Sequence, residues 1–165
     1  MIKILFVCHG NICRSTMAEQ IMKHLVQKAG LAPEFEIDSA ATSTEEIGNP
    51  IYLPAERELL AHGVDPGDHR ARRITRADCE HYDYLIGMDE ANIRNILRVC
   101  GPENAHKVSL LLSHTDRPGS VADPWYTGDF RATWRDAYEG CGALLKELTG
   151  QSPQKHNDPQ TGPVL

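Results

Sequence analysis

The sequence predicts an α/β fold, a parallel sheet covered by helices on both faces, and two observations carry that expectation. Apolar runs of strand length alternate with segments of helical period along most of the chain. The first strand also runs straight into a helix through the turn Cys8–Arg14, whose residue types suit the binding of an anion.

The elements follow in order. Ile2, Ile4, Leu5, Phe6 and Val7 form the first strand, and Ala18, Ile21, Met22, Leu25, Val26 and Ala29 then recur with helical spacing. Ser15 is placed to cap that helix and Gly30 to close it. A second strand is expected over 35–40. A helix over 54–62 stops at Gly63, and a third strand covers 84–88. Asp89 caps a helix over 90–99 that ends at Gly101-Pro102, and 108–112 is the fourth strand. Phe130, Thr133, Trp134, Ala137, Cys141, Leu144, Leu145 and Leu148 line a last helix between Asp129 and Gly150. One core suits a chain of this length with 41% hydrophobic residues, so a single domain over 1–150 is expected. Residues 151–165 are polar, proline-rich and aperiodic, the pattern of a disordered tail.

Cys8 and Arg14 flank the strand-to-helix turn. Free amides at the helix start point back into it, Gly10 lets the backbone curl, and Arg14 adds a planar fork for two phosphate oxygens. A thiolate at such a helix end beside an arginine has its pKa lowered from about 8.5 into a range of roughly 3.5 to 7.5. Cys8 then serves as a nucleophile at neutral pH, with the Ser15 hydroxyl placed to donate to it. Cys8 is the only cysteine with an arginine six positions on.

The run Val7-Cys8-His9-Gly10-Asn11-Ile12-Cys13-Arg14-Ser15 with Met17-Ala18-Glu19 resembles the signature of the low-molecular-weight protein tyrosine phosphatases. The likeness continues through Asp38-Ser39, His62-Gly63, His69-Arg70-Ala71-Arg72, Tyr82-Asp83-Tyr84, Met88-Asp89 and Asp123-Pro124-Trp125-Tyr126. It implies a three-layer, flavodoxin-like fold with four parallel strands in the order 2-1-3-4, and a phosphatase domain over 1–150. It also implies that Cys8 attacks phosphorus, that Arg14 and the loop of His9, Gly10, Asn11, Ile12 and Cys13 hold the phosphate, and that Asp123 is the general acid. On the dipeptide alone, Asp123-Pro124 reads as a rigid turn. Asn11, Ser15, Ser39 and His69 match the family's supporting network, although His69 also reads as a solvated histidine in a basic loop. Cys13 reads either as a thiol that traps oxidised Cys8 or as packing behind the loop. The arginines at 70, 72, 73 and 76 read as a solvated edge or as support.

Trp125, Tyr126 and Ile12 would wall a slot for a flat ring. Relatives often carry a tryptophan where this chain has Glu45, followed by Glu46, so one aromatic wall is missing or is replaced by Tyr52. His9 and Thr16 depart from the pattern too. The acidic pair at the rim is expected to repel acidic peptides. The implied substrates are phosphotyrosine proteins and aryl phosphates, hydrolysed without cofactor or metal through a cysteinyl-phosphate. Related alternatives are protein arginine phosphatase, which Ile12 fits poorly, and thioredoxin-coupled arsenate reductase, which the placement of Cys79 and Cys100 fits poorly.

A net charge of −6 gives no case for nucleic-acid binding. No run approaches the ~18 apolar residues of a membrane span, and no secretory leader is evident in the first seven residues. Cys79 and His81 lack the companion pair of a metal site. An odd count of five cysteines predicts free thiols and a reducing, cytoplasmic compartment, with the protein a monomer or weakly self-associating.

Overall fold

The computed structural model describes residues 1–150; the tail expected over 151–165 lies outside the described residues. Strands β1 (Ile2–Cys8), β2 (Phe35–Ala41), β3 (Tyr84–Gly87) and β4 (Val108–Leu110) form one parallel sheet in the order β2-β1-β3-β4. β1 is central because it is apolar on both faces. Ile4, Phe6 and Cys8 enter the core beneath α1 (Arg14–Lys28), α2 (Leu53–Ala61) and α6 (Phe130–Thr149), while Leu5 and Val7 enter a second core. That second core lies under α3 (Arg76–His81) and α4 (Glu90–Cys100), which completes three layers. The remaining helix, α5 (Pro124–Thr127), is a single turn between β4 and α6.

Two close contacts fix the helical layer beside β1. The buried His62 ring stacks on Trp134 with centroids 3.8 Å apart, and its Nε2 meets Glu58 at 2.5 Å, joining α2 to α6. At Gly140, α6 crosses the short 3-10 turn Leu111–His114 so closely that a Cβ would lie 2.5 Å from Leu111 Cγ.

Several local expectations change. Ser15 does not cap α1: the helix starts two residues earlier than that cap would place it, with Cys13 at its N-cap and no side-chain cap. The Ser15 hydroxyl is turned toward Cys8 instead. β4 ends at Leu110 because Leu111–His114 coils into a 3-10 turn beneath α6. The expectation of free thiols is also corrected, at two of the five cysteines. Cys79 on α3 and Cys100 at the end of α4 are joined as a disulfide with Cα atoms 5.3 Å apart, and only Cys8, Cys13 and Cys141 are free. The compartment argument built on thiol count therefore loses its basis. α3 itself escapes the periodicity because it is only six residues long; it is announced by the capping box of Thr75 and Asp78.

Candidate active site

The carboxyl ends of β1 and β3 open onto a cavity of about 410 Å³ lined by the turn after β1, by Glu45 and Glu46, by the start of α4 and by Asp123, Trp125 and Tyr126. Cys8 lies at its base and is 4% exposed. Its Sγ is 3.0 Å from Ser15 Oγ and accepts the Asn11 N–H at 3.3 Å. Because Ser15 Oγ already accepts from Asn11 Nδ2 at 2.8 Å, its own proton is free for the sulfur.

The turn's carbonyls are anchored outward. Those of Cys8, His9 and Ile12 accept the N–H groups of Thr42, Ser43 and Tyr52 at 2.9 to 3.0 Å. In a trans peptide the N–H points opposite to the C=O of the same plane, so the amides of His9, Gly10 and Cys13 face the other way. The left-handed residue that lets the chain make this turn is Asn11, at φ 61°, and not Gly10 as expected. Asparagine suits the position because its side chain satisfies four groups there. Nδ2 donates to Ser15 and Ser39, while Oδ1 accepts from the Arg72 N–H at 3.2 Å and lies 2.7 Å from His69 Nε2.

Behind Asn11 the network continues inward. Ser39 Oγ donates to buried Glu19 at 2.5 Å, and His69 Nδ1 lies 3.3 Å from Asp38 and 3.6 Å from Glu19. His69 is therefore in the network and not solvated. Burial alone would push the Asp38 carboxyl up, but the bond to His69, the Ser39 N–H and the Arg72 guanidinium overcome it and hold the group at about 2. Arg72 in turn binds Asp78 on α3 through two bonds, whereas Arg76 pairs with exposed Glu103; of the basic cluster, Arg72 is thus the member that supports the site. Glu19, Asp38 and His69 offer ligand-type atoms within 4.8 Å of one another, yet each is already engaged, Glu19 also by Lys23 at 2.6 Å.

Arg14, only 6% exposed, faces two carboxylates: Asp89 at 2.9 Å and Asp123 at 3.3 Å. Burial opposes ionisation of Asp89, but the Asn92 N–H and Arg14 draw its carboxyl below the usual range. Asp123 also caps α5 by accepting the Trp125 N–H at 3.1 Å, so the turn expected of Asp123-Pro124 forms at the edge of the cavity. The Cys13 thiol is pushed up to about 12 by burial, with the neighbouring Cys8 adding to the shift.

A family model described as low molecular weight phosphotyrosine protein phosphatase matches residues 3–154. The chain belongs to this family. YfkJ of Bacillus subtilis, a low molecular weight protein-tyrosine-phosphatase by name, is 36% identical over 150 residues, covering 90% of this chain and 96% of its own. Its crystal structure superposes with a TM-score of 0.88, covering 91% of this chain and 96% of that one. The human low molecular weight phosphotyrosine protein phosphatase is 36% identical over 149 residues, 87% of this chain and 94% of its own length.

Within this phosphatase-family site, Ile12, Glu45, Trp125 and Tyr126 line the cavity as expected, and Tyr52 does not. Tyr52 instead stands behind Trp125, with ring centroids 5.3 Å apart, and is itself backed by Phe130 at 6.0 Å. The slot therefore has a braced Trp125 and no replacement for the missing wall. Asp89, Ala91, Asn92 and Asn95 on the α4 side were not anticipated. Asp89 reads in the sequence as a helix cap, and its place two residues past the carboxyl end of β3 puts it where open α/β sheets bind ligands. No helix among the described residues is long and apolar enough to cross a membrane.

Proposed function

We propose that this protein hydrolyses phosphotyrosine in proteins, and simple aryl phosphates, with Cys8 as nucleophile. The observation that carries this reading is the position of Cys8 Sγ, held by Ser15 and the Asn11 amide at the base of a cavity where Arg14 and Asp123 stand 3.3 Å apart. The Cys8 thiolate attacks phosphorus in line as the phosphorus–oxygen bond to the aryl group breaks. Arg14 and the inward amides hold the equatorial oxygens, where charge spreads in the transition state. Asp123 gives its proton to the departing phenolate. It then takes a proton from water, whose oxygen attacks the cysteinyl-phosphate and returns the thiolate and inorganic phosphate.

The Ser15 hydroxyl stabilises the thiolate at each end of the cycle. Cys13, held as a neutral thiol by burial, stands outside it. Ile12 and Trp125 favour a flat ring, so aryl phosphates outrun alkyl phosphates such as phosphoserine. The test pairs two variants. Cys8→Ser abolishes turnover of an aryl phosphate in the presence of chelator while retaining phosphate binding, and substantial residual activity overturns the assignment. Asp123→Asn slows esters with poor leaving groups by about 10² to 10⁴, and activated esters less. An equal loss across leaving groups removes Asp123 from the role of proton donor.

A further inference from the structure

We infer that His9 and Glu45 form an exchangeable contact at the mouth of the cavity that selects phosphotyrosine flanked by a cationic residue. This rests on the phosphatase reading above and extends it to the residues beside the phosphorylated side chain. His9 belongs to the turn at the base of the site and Glu45 to the loop after β2, and both line the cavity. Their side chains meet at 3.1 Å with Nε2 facing Oε2, and they are 56% and 68% exposed.

An aryl phosphate seated on Cys8 carries its ring out past Ile12 and Trp125, which leaves the peptide on either side of it lying over this pair. Glu46 is the less available carboxylate. It is tethered by Asn49 Nδ2 at 2.6 Å, and its Cγ packs 3.4 Å from where a Gly10 Cβ would stand. Among the described residues the Glu45 carboxylate meets only His9, through one contact exposed to water, the kind of pair worth little and easily exchanged. A guanidinium from the substrate carries its charge throughout and offers a carboxylate two parallel bonds where the imidazole offers one. It therefore displaces His9 from Glu45, whereas an acidic neighbour meets Glu45 and Glu46 together and is repelled.

The experiment measures kcat/KM for three phosphotyrosine peptides that differ only in the neighbouring residue (arginine, alanine or glutamate), with 4-nitrophenyl phosphate in parallel. The expected result is that the arginine peptide leads the glutamate peptide by about fivefold, the upper end for one exposed charge pair, because attraction of one peptide and repulsion of the other both enter the ratio. Glu45→Gln brings that ratio below about twofold, and His9→Ala, which removes the competitor for Glu45, raises it. Equal ranking of the peptides by an enzyme that turns over 4-nitrophenyl phosphate overturns the inference and leaves the phosphatase reading standing. Absence of 4-nitrophenyl phosphate turnover overturns both. A loss of preference in His9→Ala as large as in Glu45→Gln overturns the exchange, since it makes His9 an orienting partner and not a competitor.

Discussion

Asn11 concentrates more of the site's organisation than any other single side chain. It holds a left-handed backbone conformation, gives its N–H to Cys8 and ties Ser15, Ser39, His69 and the Arg72 amide together. Alanine at this position loses all four side-chain bonds and keeps the unfavourable φ, while glycine loses the bonds but relieves the backbone. Asn11→Ala is expected to lower stability by about 3 kcal/mol, and Asn11→Gly by about 1 kcal/mol less than that. Chemical denaturation measures both; equal values for the two variants mean that the backbone at residue 11 is not under strain. Sequence reading singled out Asn11 as support but placed the curl at Gly10, because glycine is the usual owner of positive φ. Only the surrounding acceptors and donors show why asparagine holds it here.

At the scale of elements, the long pieces were legible and the short ones were not. β1, α1 and α6 announce themselves through repeated apolar positions, whereas α3 and α5 are too brief to show a period and depend on caps at Thr75 and Asp123. The disulfide was illegible for a related reason: Cys79 and Cys100 meet only because α3 and α4 pack on the same face of the sheet. With the two cysteines 21 positions apart, the cross-link contributes about 3 kcal/mol through the unfolded chain. Replacing both by alanine is expected to lower Tm by roughly 6 to 12 °C in a scanning experiment. An unchanged Tm indicates that the bond does not form in solution. The crossing of α6 over Leu111 makes a second element-scale prediction. Alanine is the better helix former by about 1 kcal/mol, but a Cβ at residue 140 meets fully buried Leu111 at 2.5 Å. Gly140→Ala is therefore expected to destabilise by about 1 to 3 kcal/mol in urea denaturation, and a stabilised variant shows that Leu111 yields.

For the whole molecule, the network behind the phosphate turn links activity to acid stability. Asp38 is held at about 2 against an ordinary value of 3.8. A depressed carboxyl contributes stability above its unfolded pKa and loses it as pH falls through the folded one, so the loss falls between about pH 4 and pH 2. Since Asp38 is partly open to solvent, the contribution is on the order of 1 to 2 kcal/mol. Asp38→Asn is expected to show that deficit at pH 7 and none near pH 2, and a pH-independent deficit points to lost hydrogen bonds alone. The chain as a whole carries a charge of −6, a field that does little to gather anionic substrates and is largely screened beyond ~8 Å at physiological salt. Within that field, Arg14 already faces Asp89 at 2.9 Å, a carboxyl held below its usual range. The site thus carries its own counterion, and a phosphoryl group meets an arginine whose charge is already shared. Sharing that charge with a carboxylate restrains the ground-state affinity of Arg14 for phosphate. When inorganic phosphate departs it leaves Arg14 beside Asp89, so no bare buried cation remains behind the product.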